Sequence, residues 1–180
     1  MAHFPIFIDL QDKTVLIVGQ GKETQAKADR LRPYGPQIRF LSELTAEDLD
    51  PAPALVILAG GDRTAWAGLC MERNIPVNSV DDIPNCSFYF PSLVQRGDLS
   101  IGICTSGAAP AVSVLLRKLI EQGLPSHLAQ ILPWLTEQTQ VIRQEVPDYD
   151  RRAQLLRTIS AAAFERNRPL TAEELTELKK

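Results

Sequence analysis

Two short stretches hold residue types that could do chemistry. The first is Gly19-Gln20-Gly21, set between the apolar run "TVLIV" and the stretch "KETQAKADRL". A glycine pair between a buried strand and a helix can cradle a pyrophosphate. The first glycine permits the tight turn, the second lets the phosphates approach the backbone, and the helix N-terminus supplies N–H groups. The other reading of these glycines is a bare structural turn. The third position of the loop is Thr24, bulkier than the usual small residue and expected to loosen the helix against the sheet, and Glu23 stands beside it. Glu43, near the end of the next apolar run, is placed to accept hydrogen bonds from a ribose diol, or belongs to a solvated turn.

The second stretch is "VNSVDDIPN". Asn78, Asp81 and Asp82 fall at the end of a short strand, the edge that faces the ligand crevice in open α/β sheets. Adjacent carboxylates on a strand end point different ways. One can act on a ligand while the other caps the turn at Ile83-Pro84-Asn85, the commoner fate of Asp before a proline turn. "TSGAAP" follows a later strand at the same edge, and its small residues leave room for a large ligand or for close helix packing.

The elements that must position these residues alternate. "TVLIVG", "QIRFLSE", "ALVILAGG", "IPVNSV" and "DLSIGICTSG" read as five strands. "KETQAKADRLRPYG" and "DRTAWAGLCMERN" read as helices, the second N-capped by Asp62. The alternation predicts a parallel α/β sheet with right-handed crossovers. From Ala111 onward the pattern is helical. Pro133 marks a kink or a start, His127 a helix start, and Thr171 with Glu174 a capping box.

The 180 residues are 44% hydrophobic, enough for a core and against global disorder. A formal net charge of −3 argues against a nucleic-acid binder. Cys70, Cys86 and Cys104 are widely spaced and odd in number, so they read as reduced, buried side chains with no zinc site or disulfide framework. "MAHFPIFIDLQDKT" lacks the pattern of a signal peptide, no membrane span is read, and the expected location is the cytoplasm.

The opening "FPIFIDLQDKTVLIVGQG" and, more diagnostically, "VNSVDDIPNCSFYFPSLVQRGDLSIGICTSGAAPAVSVLLRKLI" resemble the precorrin-2 dehydrogenase family, the dehydrogenase/ferrochelatase module of siroheme synthase. "GLPSHLAQ" fits the start of that family's dimerisation helices, and the resemblance covers nearly the whole chain. It implies a Rossmann-like NAD-binding domain over 1–111, a dimerisation region over 112–146 and a helical C-terminal domain over 147–180, in a homodimer. It implies oxidation of precorrin-2 to sirohydrochlorin with NAD as hydride acceptor, on the way to siroheme or cobalamin. Asp81 matches the family's catalytic aspartate. Cofactor contacts fall on Gly19, Gly21, Lys22, Glu23, Glu43 and Leu44. The tetrapyrrole carries eight carboxylates, for which Asn78, Arg96, Arg117 and Lys118 are the candidate partners, the three cations reading otherwise as solvated surface charges.

The departures from the family pattern concentrate near the cofactor: Gln20, Glu23 and Thr24 in the loop, "LAGGDRT" after the third strand, Ala109 before Pro110, and a short segment between Glu43 and Pro53. The alternative reading keeps the fold and drops the oxidation, as a tetrapyrrole-binding carrier or chelatase-type protein. A third is a regulatory nucleotide-binding module, which gives Asp81 no task.

Overall fold

The run Thr14–Val18 forms β1, the strand on which the first half of the chain is built. In a computed structural model describing residues 3–179, Val15 to Val18 are all fully buried. Met1, Ala2 and Lys180 lie outside the described residues, and with them the first two residues of the N-terminal reading and the last residue of the stretch read as the C-terminal helix. Alternate side chains of β1 point to opposite faces, so an uninterrupted apolar run requires cover on both. Leu16 and Val18 join a core with Val56, Leu58, Val77, Ala67 and Cys70. Val15 and Ile17 join another with Leu10, Ala28, Leu31, Leu55 and Ile57.

The covering helices are α1, Lys22–Leu31, and α2, Arg63–Glu72. β2 (Gln37–Leu41), β3 (Leu55–Leu58) and β4 (Val77–Ser79) complete a parallel sheet in the order β2-β1-β3-β4. The chain steps to one side of β1 and then to the other, which makes the carboxyl ends of β1 and β3 a topological switch point. Asp62 caps α2 as expected, its Oδ1 accepting from the Ala65 N–H at 3.1 Å.

The expected fifth strand forms but does not join this sheet. β5 (Ser92–Arg96) and β6 (Leu99–Ile103) make a separate antiparallel pair. The turn between them is Gly97-Asp98, with Gly97 at φ +56, the conformation that two-residue hairpins need. α3 (Pro110–Gly123) packs on both strands. α4 (Leu128–Glu145), α5 (Tyr149–Arg166) and α6 (Ala172–Lys179) follow, around Ile131, Ile142, Ile159, Ala163 and Leu170. His127 is the residue before α4, and Pro133 lies within that helix rather than at its start. Asn167 closes α5 at φ +51, accepts from the His127 N–H at 3.1 Å and donates to Ser126 Oγ at 2.7 Å, tying the end of α5 to the start of α4.

The chain divides into two units, Met1–Phe90 with Ser106–Ala108, and Pro91–Thr105 with Ala109–Lys180. Among the described residues no helix is long and apolar enough to cross a membrane. The cysteines depart from the expectation of uniform burial: Cys70 is buried, its thiol pushed up to about 11 by desolvation, whereas Cys104 is exposed.

The capping box at α6 is formed. Thr171 N–H donates to Glu174 Oε2 at 2.7 Å, and Glu174 N–H to Thr171 Oγ1 at 3.3 Å. Arg168 adds two bonds to the same carboxylate, at 2.9 and 2.7 Å. These bonds, Arg168 first and Thr171 next, hold the Glu174 carboxyl at about 2, below its ordinary 4.5. A depressed carboxyl stabilises the fold above its unfolded value and loses that effect as pH falls through the folded one. Thermal melts of wild type and Glu174→Gln are therefore expected to differ at neutral pH and to converge as the pH falls from about 4.5 toward 2. Thr171→Ala should cost about 1 kcal/mol at neutral pH.

Candidate functional site at the carboxyl edge of the sheet

The glycine loop is shaped by a close approach of two strand ends. Gly19 N–H donates to Leu41 O at 2.9 Å, and Ala59 N–H to Val18 O at 2.8 Å, so the end of β1 is tied to both neighbouring strands. Gly19 has φ +119, and a Cβ there would lie 3.1 Å from Ala59 C and from Gly60 N. Glycine is required on both counts. The small residues of "LAGGDRT" are the other side of this contact.

Gly21 differs. Its φ of +111 and ψ of −170 belong to a region essentially reserved for glycine, yet a Cβ there would meet nothing within 4 Å. Space stands open at the head of α1, and no side chain caps that helix. Its first-turn N–H groups point toward that space with the positive end of the helix dipole behind them. Thr24 does not loosen the helix as expected. It is buried, and its hydroxyl donates to Gly21 O at 2.7 Å. Lys22 and Glu23 are exposed in the first turn. An uncapped helix end beneath open space fits a dinucleotide pyrophosphate. Glu43 is exposed beyond β2, whereas Leu44 is in the core, so Leu44 can offer a cofactor only its backbone.

At the end of β4 the two aspartates divide their roles. Asp82 Oδ2 accepts from Asn85 Nδ2 at 2.8 Å and from Ser79 Oγ at 3.0 Å. Those bonds hold its carboxyl below the usual carboxylate range, so Asp82 is the residue that builds the turn. Asn85 Nδ2 also reaches Thr64 Oγ1 at 3.2 Å, and Arg63 donates to the carbonyl of Val80. The start of α2 thus grips the turn on both sides of Asp81. Asp81 itself sits at φ +55, uncommon for a residue with a side chain. It is exposed, and among the described residues no hydrogen bond or ion pair engages its carboxylate.

Asn78 is buried, with Nδ2 donating to Phe88 O at 3.0 Å and to Cys86 Sγ at 3.5 Å. Its amide nitrogen anchors the returning segment Cys86–Phe90 to β4. Part of "TSGAAP" lies at this edge, as its sequence position suggested. A Cβ on Gly107 would stand 2.9 Å from Ile83 Cδ1, and His3 Nδ1 is 2.9 Å from Ser106 Oγ.

The structure therefore gathers Gly19, Gly21, Lys22, Glu23, Glu43, Asn78 and Asp81 in the first unit. Arg96, Arg117 and Lys118 belong to the second. Arg96 donates to Gln95 O at 2.9 Å, Arg117 pairs with Glu121 at 2.8 Å, and Lys118 is exposed. Sequence reasoning passed over Lys27. It stands one position before the core residue Ala28, half-buried, with Nζ 4.4 Å from the centre of the Phe90 ring. Its place beside a core position was the only signal in the sequence.

Comparison with known proteins shows what the chain is similar to. Residues 42–92, which include Glu43, Asn78 and Asp81, match a family model described as "Putative NAD(P)-binding". Siroheme synthase 1 of Serratia proteamaculans is 34% identical over 155 residues, covering 73% of this chain and 32% of that protein. Siroheme synthase 1 of Yersinia enterocolitica is 32% identical over 154 residues, 73% of this chain and 33% of that protein. Siroheme synthase of a Psychrobacter species is 30% identical over 177 residues, 86% of this chain and 36% of that protein. The chain thus spans about a third of the length of these relatives. Among solved structures, "SirC, precorrin-2 dehydrogenase" shares the fold, with a TM-score of 0.74 at 19% identity over 98% of this chain and 96% of that one.

The two glycines should fail differently on substitution. Gly19→Ala meets both the unfavourable φ and the Ala59–Gly60 backbone just after β3, and is expected to lower the melting temperature more than Gly21→Ala. Gly21→Ala carries mainly the conformational cost, about 1–3 kcal/mol, while putting a methyl group into the open space. Thermal melts of the two variants beside NAD titrations check this: dinucleotide affinity should fall in Gly21→Ala by more than its loss of stability suggests.

Proposed function

The chain belongs to the siroheme synthase family, and we propose that it catalyses the NAD-dependent oxidation of precorrin-2 to sirohydrochlorin, a step of siroheme biosynthesis. The observation that carries the reading is the unengaged Asp81 carboxylate on a clamped turn, at the same sheet edge as an uncapped glycine loop. Asp82 completes the turn and thereby leaves Asp81 available.

NAD, when bound, supplies the hydride acceptor. The open backbone at Gly21 and the N–H groups of Lys22 and Glu23 would hold its pyrophosphate, Gly19 keeps the loop against β3, and Glu43 with the Leu44 backbone would meet a ribose. Oxidation of the macrocycle removes a hydride and a proton. Asp81 takes the proton: a carboxylate in reach of the carbon acid acts as general base. Its backbone is fixed from both sides by Arg63 and by Asp82 with Asn85, so its direction costs little reorganisation on binding.

The homodimer is part of the same reading. α3 presents Val112, Leu115, Leu116 and Leu119 at helical spacing, and all four are exposed, Leu119 by 63%. Such a stripe is covered in a soluble oligomer.

Asp81→Asn keeps size and removes the base. With precorrin-2 and NAD under anaerobic conditions, NADH formation is expected to fall by about a hundredfold or more, while NAD affinity stays unchanged. Wild-type protein that binds sirohydrochlorin without reducing NAD would favour the carrier or chelatase-type alternative. In sedimentation velocity, Leu115→Glu combined with Leu119→Glu should convert a dimer to a monomer without unfolding the helices.

A further inference from the structure

Lys27 is a half-buried cation with no carboxylate of its own. Its ammonium lies over the Phe90 ring, and among the described residues it makes no ion pair and no hydrogen bond. The charged and titratable groups that face it are Arg30, Asp81, Glu23 and Cys86. Burial first, and Arg30 next, pull it below the ordinary lysine range, against the opposing pull of Asp81, Glu23 and Cys86. An ammonium has three donors, and a partly desolvated one is costly until they are used. Arg30, one helical turn later, stands over the same ring at 5.6 Å, so α1 brings two like charges to one aromatic face. An anion placed there relieves both the desolvation and the repulsion.

The ring that aims the lysine is itself fixed. Phe90 stacks on Phe88 at 5.5 Å, and the Phe88 carbonyl is held by Asn78. Asn78 thus acts behind the site, through the segment that carries Phe90. We propose that Lys27, supported by Arg30, binds a carboxylate of the tetrapyrrole substrate and so sets the macrocycle beside Asp81. This rests on the function proposed above and adds a specificity-determining cation in the first unit. The pyrophosphate of a dinucleotide is the other anion to consider. Its space is the uncapped head of α1 at Gly21, whereas three of the features around Lys27, namely Phe90, Asp81 and Cys86, belong to the β4 edge.

The test uses Lys27→Met, which keeps the aliphatic stem, and Lys27→Arg, which keeps the charge. Sirohydrochlorin binding is followed by absorbance, NAD binding by calorimetry, and turnover of precorrin-2 by NADH formation. The expected result for Lys27→Met is a Kd for sirohydrochlorin and a KM for precorrin-2 raised about tenfold or more, with NAD affinity little changed. Lys27→Arg should restore most of the loss, which a packing role for the stem would not require. Equal sirohydrochlorin affinity in wild type and Lys27→Met overturns the assignment, and so does a loss confined to NAD, which would give Lys27 to the phosphates. If wild type turns over precorrin-2 and Lys27→Met is unchanged, only the lysine's role falls. If wild type neither binds sirohydrochlorin nor reduces NAD, the function and the subsite fall together.

Discussion

The first unit depends on one close contact, the backbone of Gly19 against Ala59 and Gly60. β1 is buried on both faces and flanked on both edges, so along this strand it is the exit that can open toward a ligand. Hydrogen bonds from Gly19 and Ala59 pull β2 and β3 onto that exit. The loop must therefore leave through a space that admits no side chain. Once Gly19 has turned there, α1 starts with its first-turn N–H groups exposed, and packing Ala28 and Leu31 into the core sets the helix direction. Lys27 and Arg30 inherit their positions from the same packing, since a residue next to a core position on a helix lies at its boundary.

A second economy concerns charge. The chain is acidic overall, and its proposed substrate is a polyanion, so local arrangement must outweigh net charge. At the β4 turn Asp82 is held by Ser79 and Asn85 and serves the backbone, leaving a single carboxylate, Asp81, directed outward. Across from it Lys27 and Arg30 share the Phe90 face. Under the proposed function, the arrangement pairs one base with a nearby positive field that can hold a carboxylate-rich molecule.

Much of this was legible in the sequence because it is local. The buried runs of β1 and β3, the Asp62 cap, the start of α4 at His127 and the Thr171–Glu174 box each follow from a few adjacent residues. The sequence stated the choice between Asp81 and Asp82 but could not make it, since the outcome turns on where the side chains of Ser79 and Asn85 point. β6 reads as a buried strand in either kind of sheet. Its antiparallel pairing was signalled only by Gly97-Asp98, a short turn that joins it to β5. Lys27 was not legible, because its setting depends on a ring far away in the chain, held by Asn78 through Phe88.

The altered loop illustrates how a local rule can be broken without loss of the fold. A small residue at the third loop position ordinarily serves close packing of helix on sheet. Here Thr24 occupies it, and a buried hydroxyl would be costly alone. Its bond to Gly21 O removes that cost and ties the helix to the loop, while Ala28, one turn on, packs into the core with no exposed surface. The tie also bears on the chemistry. Gly21 is the residue whose open side meets the proposed pyrophosphate, and the Thr24 hydroxyl holds its carbonyl on the helix side. The bulkier residue thus restrains the peptide that a more flexible glycine sequence would leave free to turn, and the loop keeps by a side-chain bond what it gives up in close packing.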